Sequence, residues 1–133
     1  MFNWLARIAA ALGAIALVSF SAPAQAAPAS DGPHGRFMIH WSAVDGGESA
    51  TVSLACPQEW SEHPNAEQAC AQIEGAGGSI ERIEPVSGFC TKEYAPVRVM
   101  MIGHWHETWQ FFTGTFANRC EANLATGGHL LDI

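Results

Sequence analysis

Lys92 is the only lysine in this chain of 133 residues. It lies between Cys90 and Pro96, in the run Gly88-Phe89-Cys90-Thr91-Lys92-Glu93-Tyr94-Ala95-Pro96. Both flanks restrain the backbone. A cross-linked cysteine would fix one end, and the proline sets its own φ and holds Ala95 extended. A lone cation on a short, extended, doubly anchored loop is what a protease-inhibiting loop needs. The plainer alternative is an ordinary surface lysine. His104-x-His106 is the second candidate for chemistry. Two imidazoles at i and i+2 on a strand share a face and can ligate one metal. No third ligand is evident, exposed turn histidines are the plainer account, and no metal or cofactor is expected. Enzyme-like sets are thin. Gly-x-Ser-x-Gly, His-Glu-x-x-His and a phosphate loop are all absent from the sequence, so catalysis is not expected.

The cysteines say where the chain works. Cys56, Cys70, Cys90 and Cys120 all fall after an N-terminal leader. That leader has Arg7, an uncharged apolar run over residues 8–20, and Ala24-Gln25-Ala26, the small-x-small pattern of a signal peptidase site. The run is short for a membrane span, which needs about 20 apolar residues. The reading is a signal peptide over residues 1–26, a loose Pro/Gly/Ala/Ser arm over 27–35, and one domain over 36–133. The product would be secreted: extracellular, or periplasmic if the source has an outer membrane. An even cysteine count in an exported chain reads as two disulfides, with the pairing left open. The formal charge is −7, and loss of Arg7 makes it more negative. Such a chain is a poor partner for nucleic acid or anionic lipid.

The elements that must position these residues follow from periodicity. Residues 36–44 and 49–56 alternate and flank Asp45-Gly46-Gly47, predicting an antiparallel hairpin. Residues 66–75 place Ala66, Ala69, Cys70 and Ile73 at helical spacing. Asn65 is positioned to cap that helix and Gly75 to Gly78 to stop it. Residues 80–86 read as a short edge strand ended by Pro85. Residues 96–102 and 108–116 read as a second hairpin turning over 103–107. Residues 119–125 read as a short helix, and 129–133 as a last short strand. Mostly antiparallel strands with one or two helices give an α+β sandwich of two layers.

A wider set of residues carries a family resemblance: Leu54-Ala55-Cys56, His63-Pro64, Ala69-Cys70, Gly77-Gly78, Cys90, Tyr94, Pro96-Val97, Gly103, Trp105 and Phe116-Ala117-Asn118-Arg119-Cys120. With these, the chain resembles the Streptomyces subtilisin inhibitor family over roughly residues 36–133. The resemblance implies a five-stranded antiparallel sheet with two helices on one face, usually as a homodimer. It implies the pairings Cys56–Cys70 and Cys90–Cys120, and inhibition of secreted trypsin-like and subtilisin-like serine proteases. It further implies a reactive bond at Lys92-Glu93 in an inhibitory loop with Cys90, Thr91 and Tyr94, supported from below by Asn118. Thr91 departs from the proline common before the pocket residue, but a β-branched side chain also keeps the backbone extended.

Overall fold

The computed structural model describes residue 24 and residues 32–133. The rest of the expected signal peptide and residues 27–31 of the arm lie outside the described residues. Four strands form one antiparallel sheet: β1 (Gly35–Ala43), β2 (Ser49–Cys56), β3 (Val97–Trp105) and β4 (Thr108–Phe116). Their order is β2-β1-β3-β4. Two helices, α1 (Ala66–Gly75) and α2 (Arg119–Ala125), complete the α+β architecture.

Alternation decides which face is buried. Phe37, Ile39 and Trp41 of β1 point inward, as do Val97, Val99 and Met101 of β3. Against them pack Ala66, Ala69, Cys70 and Ile73 of α1, and Ala122 of α2. These apolar side chains drive assembly at about 25 cal/mol per Å² removed from water. Cys56, the last residue of β2, is bonded to Cys70 of α1 with Cα atoms 5.6 Å apart, which fastens helix to sheet.

The sheet has four strands among the described residues rather than five, and both short strands read from the sequence are replaced by other structure. Residues 80–82 form a single 3-10 turn. Beyond it Pro85 has no N–H to offer a ladder, and Val86 donates its own to the Leu124 carbonyl at 2.9 Å, onto α2 instead of a strand. Residues 129–133 also leave the sheet. Gly127 and Gly128 turn the chain with φ of 91° and 89°. Leu130 and Leu131 are then both buried, which a strand with one covered face does not allow for neighbours.

Two local expectations also change. Asn65 makes no side-chain cap on α1; its amide donates to Asp132 Oδ2 at 2.6 Å. The neighbouring buried His63 fills that corner, donating from Nε2 to the Leu130 carbonyl and accepting at Nδ1 from the Asn65 N–H, each at 3.0 Å. The β3–β4 turn is tighter than expected because β3 runs on through Trp105. The Trp105 ring lies against Gly35 and Gly78, where an added Cβ would overlap the indole.

Candidate functional site

Between the 3-10 turn and β3 the chain runs without regular structure, and its conformation is set from outside. Upstream, Val86 is bonded to α2 as described. Gly88 presses so close that a Cβ there would lie 2.7 Å from the Leu124 side chain. Cys90 is then bonded to Cys120 in the first turn of α2, Cα to Cα 5.8 Å. Downstream, the Ala95 N–H donates to the Ala117 carbonyl at 2.9 Å, and the Pro96 carbonyl accepts from Val44 N–H at 2.8 Å. Between these ties Thr91, Lys92, Glu93, Tyr94 and Ala95 are exposed.

One buried side chain holds the middle. Asn118 is 7% exposed. Its Nδ2 donates to the carbonyls of Thr91 and Glu93, at 3.3 and 3.0 Å. Those carbonyls flank Lys92, so the peptide that carries Lys92 is held from both sides. The Oδ1 of the same amide accepts from Glu121 N–H at 2.9 Å and caps α2. The residue type follows from the bonding. Asp or Ser caps a helix equally well, but only an amide also offers two N–H donors. Asn118 is extended, with φ −162° and ψ 172°, as a capping residue should be.

The sequence argument missed Arg119. Its guanidinium carbon lies 4.7 Å over the Trp41 ring, and Nη2 donates to the Ile133 carbonyl. It therefore ties the start of α2 to β1 and to the last residue. Its place directly between Asn118 and Cys120 was the signal available. Beside this group, a cleft of about 410 Å³ separates the loop from the β1–β2 turn, with Trp41, Asp45, Glu48, Thr91, Glu93 and Arg119 among its walls. Two large side chains of the loop stand in water, Phe89 at 91% exposure and Tyr94 at 80%. Apolar area displayed on a cross-linked loop marks a surface built to be covered.

The two histidines are not brought together. His104 stays on β3, where Nδ1 donates to the His106 carbonyl at 2.9 Å and the ring meets Trp109 edge-on. His106 has left the strand with φ 51°, and its ring stacks on His34. Among the described residues no group of three or more His, Cys, Asp or Glu is placed to hold a metal.

The subtilisin inhibitor-like family model matches residues 40–118, from β1 through Asn118. Subtilisin inhibitor-like protein 2 of Streptomyces rochei is 40% identical over 77 residues, which cover 56% of this chain and 68% of the relative. Subtilisin inhibitor-like protein 7 of Streptomyces ambofaciens is 39% identical over 92 residues, covering 62% and 84%. Among solved structures, Streptomyces caespitosus sermetstatin in complex with Bacillus licheniformis subtilisin superposes with a TM-score of 0.54 at 20% identity, over 74% of this chain and 96% of that one. That last likeness is one of fold.

Proposed function

The chain belongs to the subtilisin inhibitor-like family, and on that premise we propose that it is a secreted inhibitor of trypsin-like and subtilisin-like serine proteases, with Lys92-Glu93 as its reactive bond. The observation that carries this reading is the Asn118 amide bonded to the carbonyls on either side of Lys92. A protease reads substrates as extended backbone, pairing it with its own strand edge. Here that backbone is held at both ends and in the middle before the enzyme arrives, so little ordering entropy is lost on binding. Lys92 enters the specificity pocket, where a trypsin-like enzyme offers a carboxylate.

Attack by the catalytic serine on the Lys92 carbonyl would break the bond to the Glu93 nitrogen. The new amine has nowhere to go. The Glu93 carbonyl is held by Asn118, Ala95 by Ala117, and the chain then enters β3. On the other side, Cys90 is bonded to α2. The severed ends stay in reacting distance, where effective concentrations reach on the order of 10⁵ M or more, and religation outruns hydrolysis.

The test is a pair of titrations, against trypsin and against subtilisin. Lys92→Ala removes the partner of trypsin's pocket carboxylate, a loss of about 3–5 kcal/mol, or roughly 150- to 4,000-fold in affinity. Subtilisin binds a broad range of side chains and should lose much less, because the lysine stem contributes there mainly by packing. Trypsin inhibition that survives Lys92→Ala unchanged would move the reactive bond elsewhere.

The outward face of the sheet supports a homodimer. Met38, Ile102, Trp109 and Phe111 are 40% exposed or more on that one face. A cleft of about 640 Å³ with Met38, Ile102 and Trp109 in its walls runs across it. A second copy laid on this face would cover these side chains in one contact.

A further inference from the structure

The strand register lays the outward face out as four rows, each crossing the sheet from β2 to β4. They run Ala55-Arg36-His104-Trp109, Ser53-Met38-Ile102-Phe111, Thr51-His40-Met100-Thr113 and Ser49-Ser42-Arg98-Thr115. No Asp or Glu occupies any of these positions, although the chain has 13 acidic residues. The middle rows hold the apolar centre: Met38, Ile102, Phe111 and Met100. The arginines stand in the outer rows, at opposite ends. An apolar centre of methionine and aromatic side chains with arginine towards the rim is the anatomy of a protein interface. A two-fold axis through the middle would set Met38, Ile102 and Phe111 against their own kind. Into this otherwise acid-free grid two imidazoles are set, His40 in a middle row and His104 in the first.

We infer that protonation of His40 and His104 dissociates this protein's dimer, so that its self-association is governed by pH. The inference rests on the homodimer reading above. His40 has Thr51 opposite on β2, with Nδ1 and the hydroxyl 2.7 Å apart, and Met100 opposite on β3. Met38 and Ser42 are its same-face neighbours along β1; the charges on the outward face itself are Arg36 and Arg98, and Glu62 lines the adjoining cleft with Thr51 and Met38. His104 has Arg36 opposite on β1 and Trp109 on β4. Its Nδ1 is spent on the His106 carbonyl. A second proton must therefore sit on Nε2. Glu62 lines the cleft beside Arg36 and His104. Glu107 follows in the β3–β4 turn, with His106 and His34 beyond it. Most of what faces the two imidazoles on the sheet is thus apolar, hydroxyl or already cationic.

The sign follows from desolvation. A charged imidazole is driven out of an apolar contact, and one beside Arg36 is repelled as well. The dimer then binds fewer protons than two monomers do. Association is complete above the range where imidazoles titrate and is lost as the pH falls through it.

Sedimentation equilibrium on the mature chain reads this directly. We expect a dimer near pH 8 whose dissociation constant rises by roughly 100-fold or more near pH 5. In the double variant His40→Gln/His104→Gln it should change by less than about threefold over the same range, with trypsin still bound one to one per chain as the check that it is folded. An unchanged parent dimer at low pH overturns the inference, and so does a variant that dissociates as the parent does. Failure of the underlying homodimer reading looks different. The parent would be a monomer near pH 8, or Phe111→Arg would leave a dimer intact, and either result removes the face and the switch together.

Discussion

At the scale of single residues, Asn118 is the position where two jobs can be separated. Asn118→Ala removes both loop bonds and the cap, each worth about 1 kcal/mol. Asn118→Asp keeps an oxygen for Glu121 N–H but has no donor for Thr91 or Glu93. The aspartate variant should therefore lose about 2 kcal/mol, less than the roughly 3 kcal/mol lost by the alanine variant, and be cut by trypsin faster. The alanine variant should melt lower and be cut faster too. Melting by circular dichroism and hydrolysis followed by mass spectrometry give both readings. An aspartate variant as resistant as the parent would remove the loop bonds from the mechanism. The loop half of this came from the family resemblance, which sets a supporting asparagine two residues before the last cysteine, at Asn118. The capping half was not legible, because a cap is recognised by where the Asn118 oxygen points, and an asparagine before a helix is common.

At the scale of elements, the longer strands and both helices were legible because their periodicity is matched by burial. Residues 49–56, 66–75, 108–116 and 119–125 fold over the very spans that pattern assigns them. Residues 80–86 and 129–133 were not legible. A handful of apolar residues reads the same whether it enters a sheet or tucks under it. What decides is tertiary: the Leu124 carbonyl takes Val86, and His63 takes the Leu130 carbonyl. The junction of these elements is the Trp105 ring, packed against Gly78, whose φ is 82°. Gly78→Ala puts a Cβ into the indole and a side chain into a left-handed backbone. It should cost about 2–4 kcal/mol, and lower the melting temperature by roughly 10 °C or more. A melting temperature within a degree or two of the parent would mean that Trp105 moves aside freely. The Cys90–Cys120 bond acts at this scale as well. Replacing both cysteines by serine should cost about 3–4 kcal/mol and shorten the life of the trypsin complex.

At the scale of the whole molecule, export and cross-linking belong together. The small-x-small pattern ending at Ala26 predicts a mature chain starting at Ala27. N-terminal sequencing of the protein recovered outside the cell should read Ala-Pro-Ala-Ser; a start at Met1 would contradict the leader. On the proposed reading the protein works outside the cell, among the enzymes it restrains. There the shared Asn118 amide has a consequence. The hydrogen bond that starts α2 and the bonds that steady the backbone around Lys92 belong to one side chain, with Cys120 a step further along the same helix. A molecule in which α2 frays gives up its grip on Lys92 in the same event. It ceases to be a plug and becomes ordinary food for the protease. On the proposed function, sound copies would persist and frayed ones would be cleared by the very enzyme they restrain, so the age of the inhibitor would be policed by its own target.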